Sequence, residues 1–84
     1  MGLKTTEQLR QARAALGLTQ SEVAALAGVS VPTMKRLENG SGTLSVRLET
    51  LTNLENAFVK AGVQFLDSGE VAAGPGVAMR NGSE

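Results

Sequence analysis

The chain has 84 residues, with eight Lys or Arg balanced by eight Asp or Glu, and it contains no His, Cys, Trp or Tyr. At this length one modest core is the ceiling, because a small fold buries only about 60 to 65% of the surface its unfolded chain exposes. Without Cys or His, zinc sites, disulfides, thiol nucleophiles and Ser-His-Asp chemistry are excluded; a site built of carboxylates alone remains possible, but no enzyme, metal or cofactor is expected.

The neutral total conceals a polarity along the chain. Residues 1–50 hold six cations against four carboxylates, and residues 51–84 hold two cations against four. No apolar run approaches the roughly 18 residues of a membrane span, and Met1 to Thr6 lack the apolar segment of a secretory signal, which predicts a cytoplasmic protein with no membrane partner.

Thr5-Thr6-Glu7-Gln8 reads as a capping box that opens a first helix over about 6–16, with Leu9, Ala12 and Leu16 on one face and Gly17 as its stop. Thr19-Gln20-Ser21-Glu22 repeats the box before Val23, Ala24, Leu26 and Ala27, and Gly28 ends this short second helix. Ser30 caps a third helix that accepts Pro32 in its first turn, places Met34 and Leu37 in the core and stops at Asn39-Gly40. Ser41 to Leu44 read as loop. Ser45 is the expected cap of a fourth helix of about 16 residues, with Leu48, Leu51, Leu54, Phe58 and Ala61 on its core stripe and Gly62 as its end.

At Val63 the period changes. Val63-Gln64-Phe65-Leu66 and Val77-Ala78-Met79-Arg80 are β-prone, and the stretch from Asp67 to Gly76 between them is rich in turn residues, so the tail predicts a hairpin followed by a frayed end at Asn81 to Glu84. A two-stranded hairpin is marginal alone in water, so the strands need the helical body or a second chain. On that ground Val63, Phe65, Leu66, Val77 and Met79 are expected at a dimer interface.

The second and third helices are separated only by Gly28-Val29-Ser30, and two helices of about two turns joined so tightly meet at the steep corner of a helix-turn-helix. Leu16-Gly17-Leu18-Thr19-Gln20, Glu22-Val23-Ala24, Gly28-Val29-Ser30 and Leu37-Glu38-Asn39-Gly40 together resemble the phage-repressor and Cro type of helix-turn-helix domain, also called the xenobiotic-response-element family, over about residues 5–61. Ala61 to Leu66 with Gly74-Pro75-Gly76-Val77 resemble the tail of short bacterial members that carry a C-terminal strand pair.

The resemblance implies a mainly α, four-helix lambda-repressor-like fold with a short C-terminal β element. Residues 1–62 would form the DNA-binding domain and residues 63–84 a dimerising tail. It implies a transcription regulator, such as a repressor, that reads double-stranded DNA as a homodimer on a palindromic operator and is nucleoid-associated when bound. The third helix, about 31–39, would enter the major groove with Val31, Pro32, Thr33, Lys35 and Arg36 towards the bases. Arg36 has the fork to contact guanine O6 and N7, and Val31 or the Thr33 methyl suits a thymine methyl.

Gln20, Asn39, Ser41, Thr43 and Arg47 fall where phosphates would be met, and Arg13 would form an internal ion pair with Glu38. Val31-Pro32 replaces the polar pair common at the start of such helices, which moves the expected hydrogen-bond readout to Thr33, Lys35 and Arg36. Two other readings stand beside this one: an antitoxin that binds a protein toxin or antagonist through its C-terminal region, and an interaction module that has lost DNA binding.

Overall fold

A computed structural model describes residues 2–66 and 70–72. It contains four helices, α1 (Thr6–Leu16), α2 (Gln20–Ala27), α3 (Val31–Asn39) and α4 (Leu48–Lys60), followed by β1 (Gln64–Phe65) and β2 (Val71–Ala72). The first three helices begin where short polar side chains satisfy their free N–H groups. Thr5 and Thr19 accept from the backbone N–H groups of Gln8 and Glu22, whose side chains accept in return from the Thr5 and Thr19 N–H groups. Ser30 accepts from Thr33 N–H, and Pro32 occupies the first turn, where a missing N–H costs no helical bond.

The α2–α3 corner depends on Gly28, whose φ of 69° lies in the left-handed region that L side chains enter only at a cost. Its N–H donates back to Ala25 O at 3.4 Å, and Val29 N–H donates to Ala24 O at 2.9 Å. The chain therefore leaves α2 and enters α3 within three residues, and α3 is held at a fixed attitude on the surface.

The core joins Leu9 and Ala12 of α1, Val23, Ala24 and Ala27 of α2, Met34 and Leu37 of α3, and Leu54 and Phe58 of α4. Leu3 is also fully buried, although no periodic pattern marks it. The cause is Gln8, a buried glutamine that grips the segment before its own helix. Its Oε1 accepts from Lys4 and Thr5 N–H at 2.7 and 3.1 Å, and its Nε2 donates to Gly2 O at 2.9 Å. Leu3 N–H donates to Glu55 of α4 at 2.7 Å, so the N-terminal arm is fastened at both ends.

Several expectations for the helices need correction. Helix α4 begins at Leu48 with Arg47 as its cap residue and no side-chain cap bond, so Ser45 lies upstream of the cap and α4 is 13 residues long. Leu48 is 69% exposed and Leu26 of α2 is 63% exposed, so neither is core. Just before α4 the apolar contacts come instead from Leu44 and Val46. Ala61 is exposed at the C-cap of α4, so the α4 stripe ends at Phe58.

Gly40 does not close α3 in a left-handed turn; its φ and ψ of −85° and −165° are extended, and the carbonyls at that end find partners on α1.

The strand pairing also differs from expectation. β1 pairs antiparallel with β2, Gln64 opposite Ala72 and Phe65 opposite Val71, inside the stretch 67–76 read as loop. Val77 and Met79, with the rest of the expected strand Val77 to Arg80, lie outside the described residues. Val63 is 0% exposed, buried in its own chain's core. Phe65 is half-buried and meets the Phe58 ring edge-to-face, with centroids 6.1 Å apart and planes at 78°. Leu66 is half-buried, and its N–H donates to Glu70 O at 3.0 Å.

Candidate nucleic-acid interface

Helix α3 has two unlike sides because its apolar and polar residues are spaced for a helix. Met34, Leu37 and Glu38 are buried. Pro32 and Arg36 are four residues apart, as are Lys35 and Asn39, and this spacing stacks the four on the opposite side, where all are exposed. Val31 lies three and seven residues before Met34 and Glu38, and Thr33 lies four before Leu37, so both lean towards the body and are half-buried.

Val31 packs against the core, and the Thr33 hydroxyl accepts from Ser30 Oγ at 2.8 Å within the cap of its own helix. Of the five residues expected to face bases, the outward side therefore presents Pro32, Lys35 and Arg36, and Asn39 joins them. Neither Lys35 nor Arg36 has an ion-pair partner among the described residues.

Past α3 the surface continues through Ser41 and Thr43, both exposed, to exposed Arg47 at the start of α4. An open depression of about 180 Å³ lies between the end of α3 and this loop, lined in part by Arg36, Ser41, Thr43 and Ser45. A guanidinium and several hydroxyl-bearing residues around one shallow opening supply the donors that phosphate oxygens accept from. The uncapped first turn of α4, beside Arg47, leaves backbone N–H groups without side-chain partners on the same stretch of chain.

The attitude of α3 is fixed from beneath by a charged cluster. Arg13 Nε donates to Glu38 Oε2 at 2.7 Å, and its Nη2 donates to Glu38 Oε1 at 2.8 Å, a two-pronged pairing that matches the planar fork to the carboxylate. Gln20 Nε2 adds a third donor to Glu38 Oε1 at 3.0 Å, and Arg13 Nη1 reaches Leu18 O at 3.1 Å. One buried carboxylate thus ties α1, the start of α2 and α3 together.

Burial alone would raise the Glu38 pKa, but hydrogen bonds from Arg13 and Gln20, with the Arg13 and Arg10 charges, hold it below the ordinary carboxylate value. The Arg13 guanidinium is pushed above its ordinary value chiefly by the hydrogen bond to Glu38.

Gln20 therefore differs from a free phosphate ligand. Its side-chain amide is committed in part to Glu38, and what its position offers outwards is the first turn of α2. Two residues that no candidate site included also bear on this surface. Glu7 and Arg10 of α1 contact the loop after α3 and the last carbonyls of α3 itself. Their three-residue spacing on one helix face is the available sequence signal, and it reads as an ordinary solvated ion pair until the loop is placed against it.

Among the described residues no three His, Cys, Asp or Glu side chains gather as a metal site, and no helix is long and apolar enough to cross a membrane. No curated protein and no solved structure matches the chain significantly. A family model described as a helix-turn-helix domain matches residues 6–58, which is more than half of the chain and takes in all of α1, α2 and α3 and most of α4. With four helices in this order, a three-residue corner between the second and third, and a polar third helix on the surface, the chain belongs to the helix-turn-helix domain family, a family of DNA-binding folds.

Proposed function

We propose that this protein is a sequence-specific transcription regulator that binds double-stranded DNA with the outer side of α3 in the major groove. The observation that carries this reading is the exposed group Pro32, Lys35, Arg36 and Asn39 on a helix whose other side is fixed in the body. Arg36 reads a guanine through O6 and N7, the Pro32 ring gives apolar contact to a thymine methyl, and Lys35 reaches a base or a phosphate. Ser41, Thr43, Asn39 and Arg47 meet the sugar-phosphate backbone and set the register of α3 without reading sequence.

One such helix contacts too few base pairs for strong discrimination, so two copies bind half-sites about one helical turn apart on a palindromic operator. Regulation then follows from occupying DNA that other proteins need. The reading makes the protein a non-enzymatic cytoplasmic one, associated with the nucleoid when bound.

Duplexes selected from a random pool are expected to converge on a palindrome, and Arg36→Ala is expected to relax preference at one base pair of each half-site, a loss of about 1 to 3 kcal/mol of discrimination there. Binding is also expected to weaken steeply as salt rises, as counterion release requires. A selection that yields no preferred sequence, or the same preference with Arg36→Ala, refutes the assignment. Failure to be retained on operator-free DNA at low salt points instead to an interaction module that has lost DNA binding.

A further inference from the structure

The end of α3 is built unlike the ends of α1 and α2. Gly17 and Gly28 close those helices in left-handed turns whose N–H groups bond back to the last carbonyls. Gly40 is extended and does not do so. Side chains of α1 satisfy these carbonyls instead. Thr6 Oγ1 donates to Leu37 O at 3.1 Å, and Arg10 Nη1 donates to Glu38 O at 2.7 Å and to Gly40 O at 3.4 Å. A cation at the C-terminal end of α3 also complements the helix dipole.

The loop that follows is held by the same turn of α1. Thr6 N–H donates to Gly42 O at 2.8 Å, and Gly42 N–H lies 3.2 and 3.3 Å from the two carboxylate oxygens of Glu7. Arg10 Nη2 is 3.7 Å from Glu7 Oε2, which closes a circuit from α1 to the loop and back. The side chains of Glu7 and Arg10 are 48% and 44% exposed, so neither is there to fill the core.

The Glu7 carboxyl sits below its ordinary pKa, held there by its own backbone N–H and by that of Gly42, and is ionised near neutral pH. An anion beside a loop that meets phosphates is unfavourable unless it does something else.

We propose that Glu7 and Arg10 are positioning residues for nucleic-acid binding, which fix the C-terminal end of α3 and the loop 40–43 in the conformation that presents Asn39, Ser41 and Thr43 to the DNA backbone. This rests on the DNA-binding reading above. The two roles open to Glu7 differ in sign. As a mere surface charge it repels DNA, and its removal strengthens binding. As a positioning group it restrains the loop, and its removal leaves more conformations to be frozen on binding, which weakens it.

The experiment measures the affinity of wild type, Glu7→Ala, Glu7→Gln and Arg10→Ala for a duplex selected by the wild type, together with amide hydrogen exchange at Gly42 in the free protein. Glu7→Ala is expected to weaken binding about threefold to fivefold despite removing a negative charge, with base preference unchanged and Gly42 exchange accelerated. Glu7→Gln, which keeps an oxygen acceptor, is expected to recover most of the affinity, and Arg10→Ala is expected to loosen the same loop. Equal or tighter binding by Glu7→Ala, or unchanged Gly42 exchange, overturns the positioning role. A wild type that selects no duplex defeats the functional reading itself, and the wild-type titration tells the two failures apart.

Discussion

Replacing Arg13 by Ala is expected to remove about 3 kcal/mol of folding stability, out of the roughly 5 kcal/mol available to a small domain. Glu38 is 5% exposed and takes two of its three side-chain donors from Arg13. Removing one partner of such a pair strands the other charge away from water, which is why the cost exceeds what the intact pair contributes over an apolar replacement. The lower end of the usual range applies because the Arg13 side chain is 26% exposed and Gln20 still donates to the carboxylate. In thermal unfolding this corresponds to a fall of about 12 °C or more.

The pH dependence has a definite sign. In the wild type the folded Glu38 pKa is depressed, so its contribution is fully present above the unfolded carboxyl value of about 4.3 and is lost as pH falls through the folded value. Without Arg13, burial dominates and raises the folded pKa, and the variant then gains stability relative to neutral pH as the carboxyl takes up a proton. The gap between wild type and Arg13→Ala should therefore be widest near pH 7 and narrow towards pH 4. A gap that stays constant with pH shows that the loss is one of packing and not of charge.

Phe58→Ala is expected to cost about 3 to 5 kcal/mol, enough to unfold most of the population near 37 °C. The Phe58 ring is 1% exposed, and Phe65 leans against it from β1. The Phe58 carbonyl also accepts from Ala61 and Val63 N–H, at 3.1 and 3.0 Å, where the chain turns out of α4 towards the hairpin. Removing the ring thus opens a cavity in the helical body and takes away the surface on which β1 rests.

Phe58→Leu keeps most of the volume and should cost about 1.5 kcal/mol or less, and Phe65→Ala, at a half-buried position, should fall between the two. Urea unfolding midpoints at constant slope measure the series. A Phe58→Ala loss below about 1 kcal/mol would mean that the hairpin and the helical body do not share a core.

The first three helices are legible in the sequence because their signals are local. Thr5, Thr19 and Ser30 each need only the next three residues to form their caps, and Gly17 and Gly28 act on the turn just before them. The start of α4 is not legible in the same way. Ser45 is a good cap by residue type, but Leu44 before it is buried and Val46 after it packs against the core, and the helix begins only beyond them. Leu48 fits a helical stripe by spacing yet points to water, because a periodic pattern does not show how far the opposing helices extend.

The surface of α3 is readable in outline, since Lys35 and Arg36 follow from charge and spacing. That Val31 and Thr33 lean inwards follows from which side Met34, Leu37 and Glu38 bury, a property of the whole fold. Glu7 and Arg10 signal only an i,i+3 ion pair, because their partners Gly42, Glu38 and Gly40 are about 30 residues away in sequence and are bonded through backbone groups that every residue type carries alike. That Val63 is buried in the chain's own core is likewise a property of the whole fold, which its place in a β-prone tail does not show.

The proposed function depends on α3 presenting its outer side to the floor of the major groove. The most direct measurement is a map of backbone amide shifts on addition of a selected duplex. Changes are predicted to concentrate at Pro32's neighbours, Lys35, Arg36, Asn39 and the loop through Thr43, with Lys60 and Leu66 unmoved. Changes confined to α4 and the β1–β2 hairpin, with α3 silent, would contradict that placement.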